Sequence, residues 1–465
     1  MQRAVVLGGS IAGLMAARVL SDHADDVVIV ERDGLGPADT GRPGVPQIKQ
    51  LHVVLEGGRL QMERWFPGLT AELIADGAVP SDGDAIEHYF DGVRKVPVAE
   101  ETTIGLTRPF LEGRIRDRVL GRDNVRLVPG LVRGLLFERG RARGVRFAPR
   151  GAEDAKETET LTADLVVDAT GRSSRLEHWL RDAGWQPPRL DRMRIDLRYT
   201  TALFRRGDEL PGVAVVQSLS SPAPAGTPQQ DFGVVAEVEG GRWMVVLSAY
   251  GQPPNRDAAT FVERVRDTPG APFAEIAACS LDSDIETYQM ADSRRRTFTG
   301  LGRFPAGLVV VGDAFASFNP VYGQGMSSAA LHASCLSAFL RSGERLDEPA
   351  WGYFRRAEVV VDAAWGLSTL GDLAMPHVTG PYPRGYRFTS WYVEKLGIAS
   401  MTDAEVNRRY LAVAHMREHP RVLTGPSTLW AVARTLRATR RRAPVPPQRS
   451  GSGSVANRLR STPAS

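Results

Sequence analysis

Cysteine is almost absent from this chain: only Cys279 and Cys335 occur, and there is no Cys-x-x-Cys pair. That scarcity excludes a disulfide scaffold and a cysteine-rich metal site, and it fits a reducing, cytoplasmic compartment. Long apolar runs are missing too. None approaches the ~18 residues a membrane-spanning helix needs, and the first apolar stretch runs into a glycine turn rather than a signal-peptide cleavage region. Acidic residues are missing from the end of the chain: Arg434, Arg437, Arg440, Arg441, Arg442, Arg449, Arg458 and Arg460 lie in a segment without them. The net charge of +4 therefore belongs to that segment, and the slightly acidic remainder carries no nucleic-acid footprint.

What is present reads as two or three domains, since 465 residues exceed one compact core. Residues 4–7 read as a strand, 11–20 as a helix and 27–30 as a second strand, a βαβ opening. Helices are expected over residues 53–65 and 111–120, and a strand over 125–128. Asp91-Gly92 marks a hairpin turn. A buried strand at 165–167 runs into Asp168-Ala169-Thr170-Gly171. Period-two alternation over 192–204, and a hairpin across Glu239-Gly240-Gly241, read as an antiparallel sheet. A strand at 308–311 and a helix over 325–340 return to the α/β texture. After Gly343 the chain reads as helical, broken at Pro376, Pro381 and Pro383. The expected class is α/β: a discontinuous Rossmann-type domain (1–85, 108–188, 290–342), an inserted antiparallel-sheet substrate domain (86–107, 189–289), a helical region (343–440) and a disordered basic tail (441–465).

Two motifs carry chemistry. Gly8-Gly9-Ser10-Ile11-Ala12-Gly13 sits between strand and helix, and Glu31 ends the next strand. Gly8 allows a tight turn, Gly13 allows close helix packing, the helix N-terminus attracts a pyrophosphate, and Glu31 can bind ribose hydroxyls. Ser10 replaces the middle glycine of that fingerprint. A hydrolase nucleophile elbow is the competing reading of Gly8-x-Ser10, but such an elbow follows several earlier strands. The second constellation is Gly312-Asp313, then Asn319-Pro320 and Gly323-Gln324-Gly325-Met326: an acid delivered by a buried strand, and glycines opening a helix.

With Asp168–Gly171, these motifs resemble the para-hydroxybenzoate hydroxylase superfamily of FAD monooxygenases. The resemblance implies that Asp313 binds the FAD ribitol and that the loop from Pro320 to Met326 faces the isoalloxazine. Ala169-Thr170 intervene where that family has Asp-Gly. Arg42-Pro43-Gly44-Val45-Pro46-Gln47, His52, Gly57-Gly58, Thr107-Arg108, Leu111-Glu112 and Asn319-Pro320-Val321-Tyr322-Gly323 are similar to the flavin epoxidases of polyether pathways, such as the lasalocid and monensin epoxidases. Those relatives often carry histidine where this chain has Gln50. The implied cofactor contacts are Gly8, Ser10, Ile11, Ala12, Gly13, Glu31, Arg32, Arg42, Gln47, Arg108, Val132, Gly312, Asp313, Pro320, Gly323, Gly325 and Met326.

The implied activity is monooxygenation through a flavin C4a-(hydro)peroxide, with an alkene of a polyketide or isoprenoid-like secondary metabolite as the expected substrate, molecular oxygen as co-substrate, and NAD(P)H or a separate flavin reductase as electron source. Aromatic hydroxylation is the close alternative, and reduction of isoprenoid double bonds a third. A halogenase lacks support because its Trp-x-Trp-x-Ile-Pro signature is absent. A non-enzymatic FAD-binding protein would have no use for the loop from Pro320 to Met326. Epoxidation demands no acid–base pair, and no catalytic side chain is assigned. Tyr199, Phe232, Trp243 and Met244 can line a substrate pocket, but core packing is the stronger reading for each. His415-Met416-Arg417-Glu418-His419 spells an inverted zinc-peptidase motif but lacks a third ligand, so no metal is expected. Leu429, Trp430, Val432 and Leu436 read as a solvated helix in preference to a membrane-surface one.

Overall fold

The computed structural model describes residues 1–33, 42, 44–45, 47–152, 158–221, 232–250 and 255–442. Pro43, Pro46 and the expected tail from Ala443 onward lie outside these residues. The opening reads as the sequence dictates. The strand Arg3–Leu7 lies between Asp26–Glu31 and Leu165–Asp168, all parallel. Leu308–Val310 extends the sheet beyond Leu165–Asp168, and Val125–Glu138 extends it beyond Asp26–Glu31. These strands are near-continuous apolar runs because both of their faces are covered. The strand Val125–Glu138 outruns its expected end at Val128. Its second half leaves the parallel ladder and forms antiparallel pairs with Arg141–Pro149, which in turn pairs with Glu159–Thr162.

Between the first strand and the helix Ile11–Leu20, the chain turns at Gly8 with φ +101°, where a Cβ would lie 2.7 Å from the Ala169 carbonyl oxygen. A Cβ at Gly13 would lie 1.8 Å from the Gly8 carbonyl oxygen, so any side chain there would push the helix off the strand. Ile11–Leu20 packs on Gln324–Arg341, which packs in turn on Glu56–Trp65 and Trp351–Asp372. The helix Glu56–Trp65 starts later than the periodicity of residues 53–65 implies, because Leu55 is extended. The helix Arg108–Leu120 starts earlier than expected, with Pro109 in its first turn.

Among the described residues the second sheet has eight strands in the order Ala316–Ser317, Glu286–Thr297, Arg189–Arg205, Arg242–Tyr250, Phe232–Val238, Val215–Leu219, Ile86–Phe90 and Val93–Arg94. All neighbours are antiparallel except Val215–Leu219 with Ile86–Phe90. The expected domain boundary at 289/290 falls inside Glu286–Thr297. That strand pairs with Arg189–Arg205 from Glu286 through Thr297, so hydrogen bonding carries the sheet past the boundary. The helices Tyr386–Ser400, Ala404–Ala414 and Pro426–Arg442 share a small core of Leu396, Val406, Val413, Leu423 and Val432. Val432 and Leu436 pack inward there, while Leu429 and Trp430 are exposed. Among the described residues no helix is long and apolar enough to cross a membrane.

Candidate functional site

One continuous cavity of about 780 Å³ lies between the parallel sheet and the second sheet, with His415 also on its wall. Two helices begin on it without a side-chain cap. At Ile11–Leu20 the Ser10 hydroxyl turns away from the helix and donates to Glu112 Oε2 at 2.7 Å. At Gln324–Arg341 the first position is Gly323, left-handed at φ +66°, which has no side chain to offer. Ser10, Ile11 and Ala12 line the cavity at the first start, and Gly323, Gly325 and Met326 at the second. Both ends carry the positive end of a helix dipole and N–H groups short of acceptors, the arrangement that receives anions.

Beside the first start, Glu31 Oε2 accepts the Gly9 N–H at 2.6 Å and Oε1 accepts the Asp33 N–H at 2.8 Å. Arg42 pairs with Glu31 at 2.7 Å, with Asp33 at 3.4 Å and closely with Glu112. Burial alone would depress the Arg42 guanidinium, but Glu112 and Glu31 outweigh it and raise its pKa. Glu112, fully buried, also accepts from Arg116 at 3.1 Å and lies 3.6 Å from Arg108. Burial would raise the Glu112 carboxyl; Arg108 and Arg42 overcome it and hold it below the usual carboxylate range. Arg108 reaches Ser10 Oγ and His52 Nε2, both at 3.0 Å. A guanidinium cannot accept, so His52 Nε2 is the acceptor and its proton sits on Nδ1, 2.7 Å from the Gln50 carbonyl oxygen. Burial, then Arg108, pushes the His52 pKa down to about 3, which keeps the ring neutral.

At the second start, Asp313 faces the cavity and receives no hydrogen bond from any described residue. Burial raises its pKa against the pull of Arg172 and Arg108. The Gly312 N–H donates to His332 Nδ1 at 3.0 Å, and burial keeps that ring neutral, with a pKa of about 4. Asn319 anchors the following loop. Its Oδ1 accepts the Val321 N–H at 3.0 Å, and its Nδ2 donates to Tyr250 Oη at 3.2 Å.

The second sheet roofs the cavity along two cross-strand rows. Tyr288 lies opposite Tyr199, which with Phe232 flanks Ser248; Val246 lies opposite Val234, Val234 opposite Gln217, and Gln217 opposite His88. All of these except Ser248 line the cavity. Five strand steps separate Tyr288 from His88, roughly 24 Å at the usual strand spacing. The roof is therefore long, aromatic at one end, apolar in the middle and polar at the other.

Of the residues singled out in the sequence, Gly8, Ser10, Ile11, Ala12, Glu31, Arg32, Arg42, Gln47, Arg108, Val132, Gly312, Asp313, Pro320, Gly323, Gly325 and Met326 all line this one cavity. Gly13 does not; it sits behind the turn as a packing residue. Asp168 also lies behind the wall, with its carboxylate consumed by Thr170 and Ser174, while Ala169, Thr170 and Gly171 reach the cavity. Gly57 and Gly58 have packing roles: a Cβ at Gly58 would lie 2.6 Å from Ser327 Cα. Gln50 is buried, with its Oε1 accepting from Thr201 Oγ1 at 2.6 Å. Tyr199 and Phe232 line the roof, whereas Trp243 packs on the opposite face among Phe204, Val235 and Phe261, and Met244 is buried outside the lining. His88, Glu101 and His415 line the cavity without having been singled out for it. Among the described residues no group of three or more His, Cys, Asp or Glu could hold a metal ion.

No family model matches the chain. It is 35% identical to Protein Rv3254 of Mycobacterium tuberculosis over 402 residues, 83% of each chain. Its fold is similar to that of the flavin-dependent brominase Bmp2, with a TM-score of 0.65, 12% identity, and 94% of this chain and 98% of that one covered. It is also similar to the p-nitrophenol 4-monooxygenase PnpA from Pseudomonas putida DLL-E4, with a TM-score of 0.60, 17% identity, and 88% and 97% covered. The structural likenesses show a shared fold, Rossmann-type with an antiparallel sheet and C-terminal helices. The sequence likeness shows that the chain belongs to the family of Protein Rv3254 of Mycobacterium tuberculosis.

Proposed function

We propose that the chain is an FAD-dependent monooxygenase acting on a small, largely apolar molecule. The observation that carries this reading is the single cavity that joins Glu31, two uncapped helix starts and an apolar roof. The residues fit the cofactor. Glu31 lies where a ribose binds, Ser10–Ala12 where a pyrophosphate meets a helix start, and Asp313, a carboxylate without a donor, suits a hydroxylated ribityl chain. Bound FAD supplies the oxygen-activating redox chemistry. The chain's residues do the rest: Arg42 and Arg108 balance negative charge, Gly323 and Gly325 leave the second helix start open toward charge on a flavin ring, and Phe232, Val234 and Val246 exclude water and orient the substrate.

The apolar roof supports the epoxidation of a polyketide or isoprenoid-like alkene, which the polyether-epoxidase resemblance implies. The polar end of the roof, with His88, Glu101 and His415, supports aromatic hydroxylation instead. Either an NAD(P)H or a separate reductase can be the electron source. The test is to reduce the FAD-loaded protein under ¹⁸O₂ with a conjugated polyene or a phenol present. A product carrying one labelled oxygen atom is expected. Hydrogen peroxide as the only oxygen product, with every candidate, would move the reading to a reductase.

A further inference from the structure

At the polar end of the roof, three residues distant in sequence meet. Glu101, buried ahead of the strand Thr102–Gly105, receives His88 Nε2 at 2.9 Å on one oxygen and 3.1 Å on the other. His415 Nε2 lies 3.3 Å from Glu101 Oε1. His88 is occupied on both sides, since its Nδ1 lies 3.0 Å from Gln217 Oε1. His415 is not: its Nδ1 has no hydrogen-bond partner among the described residues, and the residue lines the cavity. The backbone holds His415 in place. The Gly57 N–H donates to the His415 carbonyl oxygen at 2.9 Å, the following residue Met416 is left-handed at φ 56°, and Leu55, two residues before Gly57, packs on Gly323. The cluster is thus tied to the loop that opens the second helix.

We infer that His415 is a catalytic acid–base residue, oriented by Glu101, that takes the proton of an acidic hydroxyl, phenolic or enolic, on the apolar substrate. The inference rests on the monooxygenase reading and names its substrate class. A carboxylate 3.3 Å from Nε2 favours the tautomer with the proton there and leaves the Nδ1 lone pair without a donor among the described residues. In the step, the substrate O–H bond breaks and an N–H bond forms at Nδ1. The electron pair stays on oxygen, where it enriches the ring or enol for attack by an electrophilic oxygen. The resulting imidazolium is balanced by Glu101 and returns its proton to the product oxygen. Glu101 is suited to this. Although burial opposes ionisation, His415 and His88 bring its pKa down to about 2, so it is charged throughout the working range. The other charged groups around the cluster are Lys95, which burial lowers to about 8 against the attraction of Glu101, and the Arg417–Glu56 pair at 3.0 Å. His88 and Glu101 act through His415 and are positioning residues.

The experiment uses the FAD-loaded full chain with 4-nitrophenol as the probe and 4-nitroanisole as its proton-free counterpart. Phenolate absorbance is followed against pH with the probe bound. The bound phenol should ionise about tenfold more readily than in water, a shift of one pKa unit. H415Q should abolish that shift while keeping its flavin and its affinity for 4-nitroanisole. E101Q, a second variant in case H415Q fails to fold, should lose most of the shift. An unchanged shift in folded H415Q or E101Q, or 4-nitrophenol that stays neutral or unbound on wild-type protein, overturns the inference. Flavin content and ¹⁸O incorporation are read separately, so a failed base assignment and a failed monooxygenase reading give different results.

Discussion

Asn319 Nδ2 lies 2.6 Å from Asp372 Oδ1, joining the loop at the second helix start to the last residue of the helix Trp351–Asp372. Tyr322 Oη donates to the same oxygen at 3.3 Å, while Asp372 Oδ2 is buried without a partner among the described residues. Burial pushes this carboxyl from 3.8 up to about 7, further than Asn319 and Tyr322 pull it down. The folded state therefore favours the protonated form. That contribution is complete below pH 3.8 and is lost as pH rises through 7. About three pKa units correspond to ~4 kcal/mol. Asp372→Asn should match the wild type below pH 3.8 and be the more stable protein at pH 9, the gap opening between those values. Thermal unfolding by circular dichroism across that range checks it; a melting difference that does not change with pH would contradict the assignment.

Glu31 is the proposed ribose ligand. Glu31→Ala should weaken FAD and ADP binding by about 1.5–3 kcal/mol, the worth of hydrogen bonds to a charged group. The measurement is flavin fluorescence quenching on titration of the apoprotein, together with flavin content after purification. Wild-type affinity in the variant would remove Glu31 from the site.

Glu112→Ala leaves Arg42, Arg108 and Arg116 buried around a missing carboxylate. Removing one partner of such a cluster costs about 3–5 kcal/mol. Because the folded Glu112 pKa is depressed, its contribution is present above 4.5 and is lost as pH falls through the folded value. Urea unfolding at pH 7 should show the loss, and the acid limb of the stability curve should be shallower for Glu112→Gln than for the wild type.

Val234 and Val235 are neighbours on opposite faces of one strand. Val234 lines the cavity, and Val235 packs with Trp243 and Phe204. Val234→Phe should keep flavin and stability but reduce turnover of long apolar substrates in favour of short ones. Val235→Phe should instead cost roughly 1–3 kcal/mol through overpacking. Calorimetry and substrate-length profiles separate the two; equal effects would mean that the roof is misassigned.

The sequence exposed what is local. The turn at Gly8, the acid at Glu31 and the loop after Asp313 are each short segments whose spacing states their geometry. The roof was not legible in this way. Alternation marks one face of a strand as buried, but Trp243 and Val246 are both buried, and cross-strand register alone decides which meets the cavity. The base was hidden more deeply. His415 stands in what reads as a stray zinc motif, and its partner Glu101 comes from the other end of the chain. The helix before it ends at Ala414, short of Pro420, and that early stop leaves His415 free to turn toward Glu101. Asp168, given no role from the sequence, fastens the turn after its strand through Thr170 and Ser174.

Ala316 and Ser317 pair with Arg295 and Arg294, so the chain leading into the loop from Pro320 to Met326 is also the outermost strand of the roof. Arg172 bonds to both Ser317 and Asp292, and the Arg296 N–H reaches the Phe315 carbonyl oxygen at 2.9 Å, doubling that seam. Floor and roof are therefore riveted together at one margin, like the fixed jaws of a caliper. The width of the slot at that margin is set when the chain folds and not when a guest arrives, which leaves selection there to the girth of the molecule.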